Sequence, residues 1–104
     1  MTEVRTTELN YKYEPDRIFA EDHGGKLLAE IKFPATEDGL VNYAGTFVDP
    51  ALRGQGIGDQ MVRAAIAEIR KRGAKAIATC PYVKAWFSRH PEESDVLIDT
   101  GARE

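Results

Sequence analysis

The stretch Asp49-Pro50-Ala51-Leu52-Arg53-Gly54-Gln55-Gly56-Ile57-Gly58 constrains this chain more than any other part of it. Three glycines at alternating positions let the main chain turn sharply at the mouth of a helix and direct several N–H groups outward, an arrangement suited to phosphate. A helix follows at once, from about Gly56 to Arg72. Ile57, Met61, Ala65 and Ile69 recur every four residues with Val62 and Ile66 beside them, opposite a polar face carrying Asp59, Arg63, Glu68 and Arg70. Arg70, Lys71 and Arg72 sit where the helix dipole favours cations, and Gly73 supplies a left-handed cap. The loop is preceded by Leu40 to Val48, long enough for a central strand, in which Gly45 marks a bulge or a close backbone approach. After the cap, Ala74 to Thr79 reads as a short apolar strand. Strand, helix and strand in this order predict a right-handed crossover joining two parallel strands. The loop is neither a Walker loop, lacking Gly-Lys-Ser/Thr, nor a dinucleotide fingerprint, since Asp59 takes the third glycine position.

The first half of the chain reads differently. Apolar or alternating runs around Val4 to Tyr13, Arg17 to Glu21 and Lys26 to Phe33 are separated by Glu14-Pro15-Asp16 and His23-Gly24-Gly25, which predicts an antiparallel meander. Beyond the crossover, Tyr82 to Arg89 reads as a short helix ended by His90-Pro91, and Val96-Leu97-Ile98 as a last short strand. At 104 residues, with 42% hydrophobic side chains and no linker or repeat, residues 1–104 are expected to form one small domain. That size lies near the limit where burial narrowly outweighs chain entropy, and the sequence leaves the oligomeric state open. No apolar run approaches the roughly 20 residues of a membrane span, and the first residues do not read as a signal peptide, so a cytoplasmic chain without a membrane role is expected. Seventeen acidic against fourteen basic residues, a net charge of −3, argue against nucleic acid as the main partner. One cysteine can form neither an internal disulfide nor a Cys-rich metal site, and no metal is expected.

Arg53-x-x-Gly56-x-Gly58, placed after a strand ending Val48-Asp49-Pro50 and before an amphipathic helix, resembles the pyrophosphate-binding motif of the GCN5-related N-acetyltransferases. More narrowly, the chain resembles the minimal single-domain members of that superfamily. Thr46-Phe47-Val48-Asp49-Pro50, Arg53-Gly54-Gln55-Gly56-Ile57-Gly58, and Cys80-Pro81-Tyr82-Val83-Lys84 continuing to Arg89-His90-Pro91-Glu92 carry the likeness, which spans essentially the whole sequence. The resemblance implies an α+β (α/β) fold: a mixed, mostly antiparallel sheet with a central parallel pair joined by the amphipathic helix and a second short helix after the second parallel strand. It implies acetyl-CoA as cosubstrate, with Val48, Arg53, Gly54, Gln55, Gly56, Ile57 and Gly58 binding the coenzyme. The sequence departs from many relatives in carrying Gly45-Thr46 where they have His-Thr, so a role for that imidazole has no counterpart.

Cys80 closes the second parallel strand and precedes Pro81, which suits the first position of a helix, so Cys80 is expected to be its N-cap. Positive potential there, with Lys84 a turn further on, would favour a thiolate. Ligand sites in open α/β sheets gather at the carboxyl ends of parallel strands, which predicts that the glycine loop and Cys80 face one crevice. The alternative is a small apolar residue filling a strand end. Minimal relatives resemble this chain in having a cysteine here, and Cys80 is therefore the candidate acyl acceptor. His90 reads as a helix-end residue, His23 as a solvent-exposed turn residue, and Glu37 and Asp38 as turn residues. Trp86 and Phe87 suit either a channel wall or the core. The leading expectation is acetyl transfer to an amine, with acyl-CoA and an unidentified acceptor as partners, directly or through Cys80. The rival is a module that holds CoA without turning it over.

Overall fold

The structure, a computed structural model, describes residues 9–36 and 39–98. Strands β1 (Lys12–Glu14), β2 (Arg17–Glu21) and β3 (Leu27–Lys32) form the expected antiparallel meander. Of the strand expected around Val4 to Tyr13, residues 4–8 lie outside the described part, and β1 begins only at Lys12. The β2–β3 turn is locked by the Asp22 carboxylate, which accepts from the amides of Gly24 and Lys26 at 2.9 Å each. Ile18, Ala29 and Ile31 turn one face to the core. On the opposite face the guanidinium of Arg17 lies 3.8 Å from the Phe19 ring centroid and 2.7 Å from Glu30, so a buried aromatic and a buried carboxylate share one cation.

The run from Leu40 to Val48 is two strands rather than one. β4 (Val41–Tyr43) pairs in parallel with β6 (Ala76–Ala78), whereas β5 (Gly45–Val48) pairs antiparallel with β3. Hence the strand that leads directly into the glycine loop is not itself β6's parallel partner; the first half of the run is. The break falls at Ala44, whose amide donates to the Lys32 carbonyl at 3.0 Å. Val41 and Tyr43 are buried, and two-residue alternation would next send Gly45 and Phe47 inward. Instead Thr46 and Val48 pair with the core residues Ile31 and Ala29. Ala44 is thus the extra residue of a bulge, one position before the glycine that suggested it.

Helix α1 (Ile57–Arg72) lies on the core face of the meander, burying Ile57, Met61, Val62, Ala65, Ile66 and Ile69 as the four-residue spacing demands. Gly73 ends it at φ 67°, a left-handed conformation in which its amide reaches the Arg70 carbonyl while Ala74 reaches Ile69. Helix α2 (Pro81–Arg89) buries Val83, Trp86 and Phe87, so the two large aromatics belong to the core. The expected last strand is corrected: Val96 closes a 3-10 helix over Pro91–Val96, and only Leu97 bridges Ala76. Arg70, bonded to Glu93 and Asp95, and Lys75, whose Nζ donates to the Asp95 carbonyl, hold that 3-10 segment in place of a strand ladder.

Candidate functional site

The site begins where the chain leaves β6, at the end of β4. The amides of Thr79 and Cys80 both donate to the Tyr43 carbonyl, at 3.1 and 3.0 Å. Past that point the chain turns away at Ala44, and a wedge opens between β5 and the start of α2. In an antiparallel pair, alternate residues direct both backbone groups at the partner strand. The Asp49 amide donates to the Leu28 carbonyl, which assigns Phe47 to the β3 side and leaves the backbone groups of Thr46 and Val48 facing the wedge. The Arg53 Nε, 3.3 Å from the Val48 carbonyl, meets that oxygen on the wedge side.

Below β5 the chain makes a 3-10 turn over Pro50–Leu52, capped by the Asp49 carboxylate, which accepts from the Ala51 amide at 2.9 Å and pairs with Lys26 at 3.1 Å. The amide bond and then the ammonium hold the Asp49 carboxyl below its ordinary value. Gly54 and Gly56 follow at φ 84° and 78°, and a Cβ at either would project into open space. Gly56 is the N-cap of α1 and offers no side chain to its amides. The first bond within the helix runs from Gln60 to Gly56, so the amides of Ile57, Gly58 and Asp59 have no acceptor inside the helix. Amides without an acceptor in the helix, the positive end of a sixteen-residue helix and glycines that leave the approach clear form a cradle that fits an anionic diphosphate.

The cradle and the wedge open onto one cleft of about 480 Å³, whose lining includes Thr46, Val48, Leu52, Arg53, Ile57 and Tyr82. Of the loop residues read from sequence, Gly54, Gly56 and Gly58 also line it and Gln55 does not. Cys80 stands at the N-cap of α2 ahead of Pro81, but its side chain makes no capping bond. Cys80 is 6% exposed, and its thiol lies 3.6 Å from the Thr46 hydroxyl, across the wedge. The glycine loop therefore lines the cleft and Cys80 does not: it lies buried behind Thr46, and the loop follows β5, which pairs with β3 and not with β6.

His90 is not brought to this cleft. Its ring stacks on Trp86 at 4.0 Å and its Nδ1 lies 2.8 Å from the Trp86 carbonyl. His23 is exposed in the β2–β3 turn, and Glu37 and Asp38 lie outside the described residues. Three residues escape the sequence reading. Thr46 was a strand residue, and its inward direction depends on the Ala44 bulge. Asp59 belongs to the polar face of α1, yet it lines the cleft and accepts from the Trp86 indole at 2.9 Å and Arg63 at 3.0 Å. Burial alone would raise the Asp59 carboxyl, but the indole and guanidinium bonds outweigh it and hold the group low. Tyr82, two residues after Cys80, leans on the cleft, and burial with the nearby Asp59 charge raises its phenol above the ordinary value.

A family model for GCN5-related N-acetyltransferases matches residues 5–96. No curated protein sequence matches significantly. Among solved structures, a protein from Staphylococcus aureus described as GCN5-like superposes with a TM-score of 0.72 at 24% identity, covering 92% of this chain and 96% of its own. A predicted acetyltransferase from Clostridium acetobutylicum, determined with acetyl-CoA, gives 0.56 at 18% identity over 85% of this chain and 60% of its own. Nourseothricin acetyltransferase gives 0.52 at 21% identity, covering 74% of this chain and 52% of that one. These likenesses establish the mixed sheet with its parallel pair, and the match across residues 5–96 establishes more: the chain belongs to the GCN5-related N-acetyltransferase family.

Proposed function

We propose that residues 1–104 act as a single minimal acetyltransferase domain that binds acetyl-CoA and passes its acetyl group to an amine. The observation that carries the reading is the shared cleft: an anion cradle at the mouth of α1 and a wedge edged by β5 backbone that lies outside the sheet ladder open into each other. Acetyl-CoA supplies an activated thioester. The amides of Ile57, Gly58 and Asp59 hold its diphosphate, with Arg53 beside them once its side chain leaves the Val48 carbonyl. The backbone edge of Thr46 and Val48 offers bonds to the amide-bearing pantetheine arm.

Two routes fit the wall of the cleft. In the direct route the amine nitrogen bonds to the acyl carbon, the carbon–sulfur bond breaks, and the amine proton ends on the CoA sulfur. In the other, Cys80 first exchanges its thiol proton for the acyl group, and the amine then takes the acyl carbon and returns a proton to Cys80. Intact-mass measurement after incubation with acetyl-CoA separates them: an adduct on the native protein that is absent from Cys80→Ser supports the covalent route. Full activity in Cys80→Ser supports direct attack. The whole reading is tested by melting temperature, since a ligand that binds only the folded state raises it by mass action. No shift at millimolar CoA would sink it.

A second reading, a module that holds CoA without turning it over, is favoured by one observation. Among the described residues neither histidine reaches the cleft and Gly45 offers no imidazole, while the one carboxylate in its lining, Asp59, is already engaged by the Trp86 indole and the Arg63 guanidinium. Acetyl-CoA turnover with a panel of amines and peptides decides between the two.

A further inference from the structure

Gly58 is the second residue of α1 and has an ordinary helical backbone, so its torsions do not call for glycine. Its surroundings do. A Cβ at Gly58 would collide with the Tyr82 hydroxyl and fall 2.9 Å from Cζ and 3.3 Å from Cε2 of the same ring. Gly54 and Gly56, by contrast, have nothing within 4 Å of the equivalent point. The three glycines of the loop thus serve two purposes: two clear the approach to the helix mouth, and the third seats an aromatic ring.

The backbone position from which that ring projects is well defined. The start of α2 is fixed by the Thr79 and Cys80 amides on the Tyr43 carbonyl, by Pro81 at the first helical position, and by the Lys84 amide on the Cys80 carbonyl at 2.9 Å. Tyr82 is nevertheless 41% exposed and lines the same cleft as Val48, Leu52 and Ile57. An exposed ring resting against the first turn of α1, and carried two residues beyond Cys80, lies in the one cleft that both the anion cradle and Thr46 line.

We infer that Tyr82 is a ligand-contacting specificity residue: its ring, seated on Gly58, forms the wall along which the pantetheine arm of acyl-CoA runs from the cradle toward Thr46 and Cys80. The arm is uncharged, alternating methylenes with amides, and an aromatic face with a polar tip suits both. The diphosphate is met by backbone amides instead, so Tyr82 distinguishes ligands that carry the arm from those that do not. This inference rests on the acyl-CoA reading.

The experiment is calorimetric titration with CoA and with its phosphoadenosine diphosphate half, which keeps the diphosphate and lacks the arm. Tyr82→Ala is expected to weaken CoA about tenfold, as loss of an aromatic contact does, and to leave the armless half within about twofold. Gly58→Ala, which displaces the ring, is expected to weaken CoA similarly in the native background and to add nothing once Tyr82 is alanine, because residues acting through one contact are not additive. Tyr82→Phe keeps the ring and should keep CoA affinity within about twofold, which also guards against a failure of the alanine variant to fold. Equal losses for both ligands, unchanged CoA affinity in Tyr82→Ala, or additive effects of the two alanines would overturn the inference. Failure of the native protein to bind either ligand would overturn the acyl-CoA reading instead.

Discussion

Tyr43 and Asp59 show how much a single side chain carries in this molecule. The Tyr43 hydroxyl is fully buried beside Phe87 and, among the described residues, has no hydrogen-bond partner. Burial raises its phenol well above the ordinary value. A buried donor left unpaired costs its desolvation, so Tyr43→Phe is expected to stabilise the protein by about 1 kcal/mol, read as a higher urea midpoint at unchanged slope. Asp59 is the opposite case. Its carboxylate serves the Trp86 indole, which is 1% exposed, and truncation strands that N–H. Asp59→Ala is expected to cost about 1 kcal/mol, a loss of roughly 4–8 °C in melting temperature for a domain of this size, whereas Asp59→Asn keeps an acceptor and should cost less. Neither role is visible in the sequence, because each depends on where a distant ring comes to rest.

At the scale of elements, what was local was legible. Helix α1 appears within one residue of its expected start, because its apolar stripe, cationic last turn and glycine cap are all written within the helix itself. The meander followed from turn residues for the same reason. The division of residues 40–48 was not legible, since only the competing claims of β3 and β6 reveal it. Nor was the 3-10 segment over Pro91–Val96, where ion pairs to Arg70 replace strand pairing. Gly45 tests the reading of β5. A Cβ there meets nothing within 4 Å and its φ is not left-handed, so Gly45→Ala is expected to stabilise by about 0.5 kcal/mol through the unfolded chain alone. A loss on that substitution, measured by urea unfolding, would mean the bulge depends on glycine.

Taken as a whole, the molecule should tolerate a broad pH range and fail at both ends. Asp49, Asp59 and Asp95 are held below ordinary carboxyl values in the folded state, Asp95 chiefly by its bond to Arg70. Groups depressed in this way contribute stability above the unfolded value, near 3.9, that is lost as pH falls through their folded values. Tyr43, raised by burial, leaves stability insensitive to pH below its unfolded value near 10 and makes it fall as pH climbs from there toward the folded value, and Tyr43→Phe should flatten that alkaline limb. Urea midpoints across pH check both limbs. Beyond stability, the one-residue excess at Ala44 has a mechanical meaning. It assigns β5 to the meander and leaves β4 and β6 as a small sheet of their own, whose end at the mouth of the wedge is closed by the two amides that grip the Tyr43 carbonyl. A molecule lodged along the backbone edge of Thr46 and Val48 would brace the open side of that wedge like an added strand. Opening would then slow, and hydrogen exchange at the Thr79 and Cys80 amides, far from the diphosphate end, would report its arrival.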